Sequence, residues 1–336
     1  MGVEPHVLSV APMIDWTDRH CRRFHREISK SALLYTEMVT TGALLHGDRA
    51  RFLAFSEEEH PVVFQLGGCD PNDLARCAKW VEQTGFDELN LNCGCPSERV
   101  QKGSFGACLM AEPRLVADCV KAMRDHTTLN VTVKHRIGLD YDESTQQVFD
   151  FVGTVSEAGC HTFIVHARNA VLKGLSPKEN REIPPLRYAV VKQLKQHFPH
   201  LHIVLNGGIQ TLEQIKTHLQ WADGCMVGRE AYTNPWLLAA WDDCVLGSSM
   251  GGHNKTRFDV INGLRSYVEE QLGLGESIRH LTKSWLGLFH GQPGGRLFRQ
   301  VLSDVQGLRR NDWSVVAEAL SKVSQFDPQK GGLASS

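Results

Sequence analysis

The 336-residue chain contains no run approaching eighteen consecutive apolar residues. A helix that crosses a bilayer needs about twenty, so no membrane span is expected. The opening residues, MGVEPHVLSV, lack both the charged start and the apolar stretch of a secretory signal. No G-x-G-x-x-G turn follows a strand-like run, which leaves nothing to hold a dinucleotide in a domain of its own. A strong charge excess is missing too: the net charge is -2 at pH 7, too little to favour indiscriminate binding to nucleic acid. The charge is unevenly spread, with 11 Lys/Arg against 8 Asp/Glu over residues 251–336 and 25 against 30 over residues 1–250, so a basic C-terminal part could meet phosphate. Cysteine is not scarce. Ten cysteines in a long chain without an export signal read as free thiols in a cytoplasmic protein, not as a disulfide framework.

Eight short β-branched or apolar runs are present: HVLSVAPM (6–13), ALLYTEM (32–38), PVVFQLGG (61–68), ELNLNCG (88–94), NVTVKHRIG (130–138), TFIVHAR (162–168), HIVLNGG (202–208) and GCMVGRE (224–230). Segments of helical period lie between them, PNDLARCAKWVEQTG (71–85) and PRLVADCVKAMRDH (113–126) among them. Alternation of strands and helices predicts parallel β/α units, and strands that are apolar nearly throughout are covered on both faces. Eight such units in about 240 residues match a (β/α)8 TIM barrel in number and size. A doubly wound open sheet is the alternative, but the first strand runs into APMIDW with no glycine-rich turn. The expected division of this α/β chain is a barrel over 1–245, a helical bundle over 246–328 and a disordered tail at 329–336. GSSMGGHNK (247–255) reads as the boundary, and the amphipathic segments beyond it contain no strand-like run. The basic segment DRHCRRFHREISK (18–30) is expected to be the solvated face of the first barrel helix.

In such a barrel the functional groups sit at the C-terminal ends of the strands, with phosphate bound after strands 7 and 8. Those ends read Asn206-Gly207-Gly208 and Gly228-Arg229. Glycine backbone amides and a forked guanidinium are what a phosphomonoester needs. Gln65 on strand 3, Lys134 and Arg136 on strand 5, and His166 and Arg168 on strand 6 fall at the same mouth. An amide, an ammonium and an imidazole are costly to bury for packing alone. With a phosphate site they suit FMN, the amide meeting the pyrimidine edge and the ammonium the charge of the reduced ring. Strand 4 ends in LNLNCGCPSERVQKGSFGACLM (89–110). A metal site there would recruit Cys93, Cys95 and Cys108 with His135 or His166, but the spacing matches no tight zinc module. Cys93, in the strand, reads as a small buried hydrophobe. Cys95, one step into the loop and fixed by Pro96, is the thiol placed to reach a substrate.

Together APM, FQLGG, LNLNCGCPSERVQKGSFGACLM, VTVKHRIG, HAR…GLSPKENREIPPL, NGGI and GREAYTNP resemble the tRNA-dihydrouridine synthases, and the loop GLSPKENREIPPL (174–186) is similar to that of their A subfamily. The resemblance covers essentially the whole chain. It implies an FMN enzyme that uses NADPH to reduce the C5–C6 double bond of uridine to dihydrouridine in the D-loop of tRNA, at positions 20 and 20a. By similarity, Ala11, Pro12 and Met13 lie against the flavin, and Gln65, Lys134 and His166 contact its ring. Asn206, Gly207, Gly208, Gly228 and Arg229 hold its ribityl phosphate, while Asn92 and Cys95 face the uracil. Lys178, Arg181, Arg296 and Arg299 are the implied tRNA contacts. Hydride then passes from reduced FMN N5 to C6, and Cys95 gives C5 a proton from the opposite face. A cysteine thiol, with an ordinary pKa about 8.5, is able to give and regain a proton near neutrality. The base must first be extruded, at a cost of a few kcal/mol that phosphate contacts help offset. No metal and no obligate protein partner is implied, and a monomer is expected. A barrel flavoenzyme acting on a free pyrimidine is one rival reading and a non-catalytic RNA-binding protein another. The basic loop around Lys178 and Arg181 with the helical part favours a polymer, and the thiol with its flavin set favours catalysis. Because no dinucleotide domain is present, NADPH is expected to dock transiently over the flavin. Initial rates at several fixed tRNA concentrations should therefore give parallel double-reciprocal lines, and intersecting lines would contradict this ping-pong order.

Overall fold

The computed structural model describes residues 6–97, 100–101, 103–246 and 255–325; the expected tail at 329–336 and most of the boundary at 247–255 lie outside the described residues. Eight strands form one parallel sheet: β1 (Leu8–Val10), β2 (Leu34–Thr40), β3 (Val62–Gly67), β4 (Glu88–Cys93), β5 (Asn130–Arg136), β6 (Thr162–His166), β7 (His202–Asn206) and β8 (Gly224–Val227). They pair in the order β1-β8-β7-β6-β5-β4-β3-β2. Val10 N donates to Leu33 O and Leu33 N to Leu8 O, both at 2.9 Å, which draws β1 onto the approach to β2. This is the (β/α)8 barrel that the alternation of runs predicts. Strands β3 and β4 are buried at every residue, as parallel strands covered on both faces must be.

The intervening helices begin where the sequence supplies caps. Asp70 accepts from Asp73 N at 2.9 Å ahead of the helix Pro71–Thr84, whose first residue is proline. Thr211 and Gln214 form a capping box at Leu212–His218. Inside the barrel, Ala11, Leu33, Tyr35, Val63, Ile164, Val204 and Met226 form an apolar cluster. On the β4–β5 side the buried interior residues are polar instead: Glu88, Asn90, Asn92 and Thr132.

The chain packs as two units, one of residues 1–17 with 31–228 and one of residues 18–30 with 229–336. In the sequence pattern the change of character falls at 245/246. The helix Arg19–Ile28 follows β1 in the chain but belongs with the second unit, and it is not the solvated basic face expected. His20, Cys21, Arg22, Phe24, His25, Arg26 and Ile28 are all buried. The polar groups on this helix have partners: His20 Nδ1 lies 2.6 Å from the Tyr267 hydroxyl, Arg26 donates to Ser29 O at 2.9 Å, and the Ser29 hydroxyl donates to Asp242 at 2.7 Å. Phe24 stacks against Trp285 at 5.9 Å. Among its described residues the second unit is otherwise helical, with Trp236–Leu246, Arg257–Gly263, Arg265–Gly273, Gly295–Ser303 and Ser314–Ser324 as its longer elements. Among the described residues no helix is long and apolar enough to cross a membrane.

One close approach closes the sheet. A Cβ at Gly224, the first residue of β8, would lie 2.0 Å from the His6 carbonyl oxygen, and backbone cannot yield as a flexible side chain does. Gly224→Ala should destabilise the protein by about 1–3 kcal/mol, read as a lowered midpoint in urea; an unchanged midpoint would show that the β1–β8 seam has room for a methyl group.

Candidate active site

Because the strands are parallel, their C-terminal ends share one rim, and the register sets which side chains are neighbours there. Gln65 pairs with Asn90 across β3 and β4, Asn92 with Lys134 across β4 and β5, and Arg136 with His166 across β5 and β6. His166 pairs with Asn206 on β7, and Asn206 with Met226 on β8. A Cβ at Gly228 would stand 3.8 Å from Ala11 Cβ and 4.0 Å from Met13 Sδ, so Ala11, Met13 and Gly228 adjoin, with Pro12 between the first two in the chain. The barrel thus gathers every strand-end residue from Ala11 to Gly228 that the sequence singles out. Arg229 is exposed and opens the helix Arg229–Thr233 of the second unit.

The loop after β4 shows the strongest local constraint. Gly94 N and Cys95 N both donate to Asn92 Oδ1, at 3.1 and 3.0 Å. Arg136 Nε donates to Gly94 O at 3.2 Å, Ala107 N to Cys95 O at 2.9 Å, and Gln101 Nε2 to Pro96 O at 2.7 Å. Pro96 has no N–H, so every backbone donor and acceptor from Gly94 to Pro96 is engaged. Gly106, at φ +75, makes one of these contacts possible: a Cβ there would fall 2.6 Å from Cys95 O and 2.4 Å from Val100 Cγ1. The glycine-containing segment after the thiol is therefore part of its support. Cys95 is half-buried and outside any disulfide, and its Sγ–H donates to Ser97 Oγ at 3.6 Å.

Two side chains tie this loop to its neighbours. Arg136, 4% exposed, also donates to Asn169 O at 3.3 Å and Asn180 O at 3.0 Å. Gln101 Nε2 reaches Leu172 O at 2.7 Å as well as Pro96 O. Asn180, fully buried, fastens the loop 171–186 from within by accepting from Val171 N at 2.8 Å and donating to Val171 O at 2.9 Å. Gln101 and Asn180 hold these loops in place, and nothing in the sequence singles them out. Arg136 was visible, two residues past Lys134 on the same strand face, but its partners are not local.

Cysteine 93 is fully buried, and burial pushes its thiol well above the ordinary range. It is the small buried hydrophobe expected. His135 is buried between Phe151 and Phe163, with Nδ1 2.6 Å from Arg136 O, and burial lowers it to about 4. Cys108 donates to Phe105 O at 3.0 Å. Among the described residues Cys93, Cys95 and Cys108 do not converge with His135 or His166 on a metal-sized space; the one such grouping is His20, Glu276 and His280 in the second unit.

The rim is cationic. Burial, and then the neighbouring Arg136, hold Lys134 down to about 7, while Cys95 nearby works in the opposite direction. Burial brings Arg136 to about 10. His166 is kept well below its usual range by burial first and then by Arg136, Lys134, Arg168 and Arg181, so it is a neutral imidazole. Lys178 and Arg181 are exposed on the 171–186 loop. Arg296 and Arg299 are exposed on the helix Gly295–Ser303, whose buried face carries Phe298 and Leu302.

The fold is the (β/α)8 barrel, a class whose enzymes carry their active sites at the C-terminal ends of the strands. The chain belongs to the dihydrouridine synthase family of oxidoreductases, whose family model matches residues 9–324. It is 59% identical over 295 residues to a tRNA-dihydrouridine(20/20a) synthase of Pseudomonas aeruginosa, covering 88% of each chain. It is 54% identical to the protein of that name from Vibrio parahaemolyticus, over 94% of this chain and 96% of the relative. The corresponding figures for the Escherichia coli strain K12 protein are 56%, 94% and 91%.

The lowered Lys134 has a consequence for the ligand-free protein. An unfolded lysine titrates near 10.4, whereas the folded one gives up its proton at about 7. Between those values the unfolded chain binds more protons, so this residue's penalty is full below pH 7 and fades as pH rises toward 10.4. Lys134→Met should therefore be more stable than wild type at pH 6, the gap closing toward pH 10. Urea titrations of the ligand-free proteins at constant ionic strength check this, and a pH-independent gap would contradict it.

Proposed function

We propose that this chain reduces uridines at positions 20 and 20a of tRNA to dihydrouridine, with FMN as its cofactor and NADPH as reductant. The observation that carries the proposal is the half-buried Cys95 thiol, seated on a fully hydrogen-bonded loop beside the buried cations Lys134 and Arg136. The family and the names of the relatives support it.

The residues of the rim fit FMN. Lys134 and Arg136 are desolvated cations, and an anionic ligand would relieve the cost of burying them. Gly207 and Gly208 have φ of +113 and +71, and a Cβ on either would strike His166 or Leu186 at 2.5–2.6 Å. Bare backbone is required there, as in a phosphate cradle. Asn206, Gly207, Gly208, Gly228 and Arg229 would take the ribityl phosphate, Ala11, Pro12 and Met13 would cover the ring, and Gln65, Lys134 and His166 would meet its polar edge. When bound and reduced by NADPH, FMN would supply the hydride for C6 of the uracil.

The chain's own part is orientation and proton transfer. Cys95 Sγ–H gives its proton to C5, and its half-buried position lets solvent restore it. Positive charge on Lys134 and Arg136 offsets the negative charge that builds on the base during reduction. Asn92 seats Cys95 through its oxygen and keeps one N–H for the base. Lys178 and Arg181 on the barrel loop, and Arg296 and Arg299 on the helical unit, are exposed cations suited to phosphates of the tRNA.

Cys95→Ala should retain FMN and tRNA binding while dihydrouridine formation falls about 10²–10⁴-fold, read by mass analysis of tRNA incubated with protein, FMN and NADPH. Wild-type turnover in that variant would remove Cys95 from the proton step.

A further inference from the structure

A line of side-chain hydrogen bonds runs down the barrel interior beneath the rim, and its donors all face the same way. The N–H groups of Gly94 and Cys95 donate to Asn92 Oδ1. Asn92 Nδ2 donates to Gln65 Oε1 at 2.9 Å, and Gln65 Nε2 to Asn90 Oδ1 at 2.7 Å. Asn90 Nδ2 donates to Thr132 Oγ1 at 2.9 Å, and that hydroxyl lies 3.0 Å from Glu88 Oε1. Glu88 Oε2 accepts from Asn130 Nδ2 and pairs with His6 Nε2, each at 2.8 Å. Gln65, Asn90 and Thr132 are at most 1% exposed, so no water competes for these bonds. The spacing follows from the sheet: residues 88, 90 and 92 alternate to one face of β4, and the register sets Gln65 and Thr132 on either side of Asn90.

The direction of the line has a cause. A carboxylate has no hydrogen to give, so Glu88 requires one from Thr132. The alternative acceptor for that single hydroxyl hydrogen, Leu89 O at 3.1 Å, is uncharged and farther away, and a charged acceptor is preferred. With its hydrogen directed to Glu88, Thr132 offers only lone pairs upward. Asn90 must then present its nitrogen below and its oxygen above. Gln65 follows with its nitrogen down, which leaves its oxygen to Asn92, whose own oxygen is turned to the Cys95 loop. Hydrogen bonds in such a chain polarise one another.

We propose that Glu88, Thr132 and Asn90 are positioning residues for the reaction: the carboxylate at the far end of the line sets which atoms Gln65 and Asn92 present at the mouth, and through Asn92 it sets the seating of Cys95. The inference rests on the reading of Gln65 as a flavin contact.

The test uses full-length protein carrying Thr132→Val, which removes the hydroxyl at nearly constant volume, or Glu88→Gln, which keeps the shape but can donate. Thr132→Ser restores the hydroxyl, and Asn130→Ala removes a bond to Glu88 outside the line. FMN affinity by fluorescence titration, the visible spectrum of the bound flavin, and kcat and KM for tRNA are measured for each. T132V and E88Q should bind FMN about tenfold more weakly, shift the flavin bands and lower kcat with KM for tRNA unchanged, while T132S and N130A behave as wild type. Wild-type affinity and spectrum in both T132V and E88Q would overturn the inference, as would N130A reproducing their defects. If T132V does not fold, E88Q decides alone. Failure of the wild type to take up FMN would instead overturn the flavin reading. The line is then judged on the side-chain amide resonances of Gln65 and Asn92 in ¹⁵N-labelled protein, which E88Q should move and N130A should not; unmoved resonances in E88Q would again overturn it.

Discussion

Where a strand ends and the chain turns into a loop, its peptide groups leave the sheet and must find other partners. At the end of β4 those partners are mostly side chains, Asn92 for two N–H groups and Arg136 and Gln101 for two carbonyls, while the backbone N–H of Ala107 meets the third carbonyl. The position of Cys95 follows from this arrangement, because no torsion between Gly94 and Pro96 changes without breaking one of these bonds. Arg136 and Gln101 also reach the loop that carries Asn180, so the thiol loop and the basic loop after β6 are held as one piece.

The barrel interior is divided to serve that end. On the sides formed by β1, β2, β3, β6, β7 and β8 it is filled by an apolar cluster, whose burial supplies stability. The β4–β5 side gives up apolar burial for amides, a hydroxyl and a carboxylate, and places cations above them. Desolvating Lys134 and Arg136 works against folding, and the burial on the apolar side offsets that cost.

Much of the candidate site's placement is legible in the sequence because the fold rule that puts function at strand ends needs only the strand positions. Gln65, Lys134, His166 and the Asn206-Gly207-Gly208 turn all fall where short apolar runs stop. Cys93 and Cys95 were separable for the same reason, one inside the run and one past it. What could not be read depends on partners distant in the chain. Thr132 meets Asn90 across 42 residues, and Arg136 meets Asn180 across 44. The segment 18–30 looked solvated because it is rich in Arg and His. Its partners Tyr267 and Asp242 lie 247 and 213 residues away, and no periodicity in the helix itself announces them.

The distribution of sulfur has a practical side. Cys21, Cys77, Cys93, Cys119, Cys160 and Cys225 are buried; Cys69, Cys95 and Cys108 are half-buried, and Cys244 is exposed. Burial also raises Cys69 and Cys108, which slows their attack on an electrophile. A small alkylating reagent applied at neutral pH to the native protein is thus left with two main competitors, Cys95 and Cys244. Exchanging Cys244 for serine would leave Cys95 as a nearly unique attachment point, at which a fluorescent or spin label would report on the loop after β4.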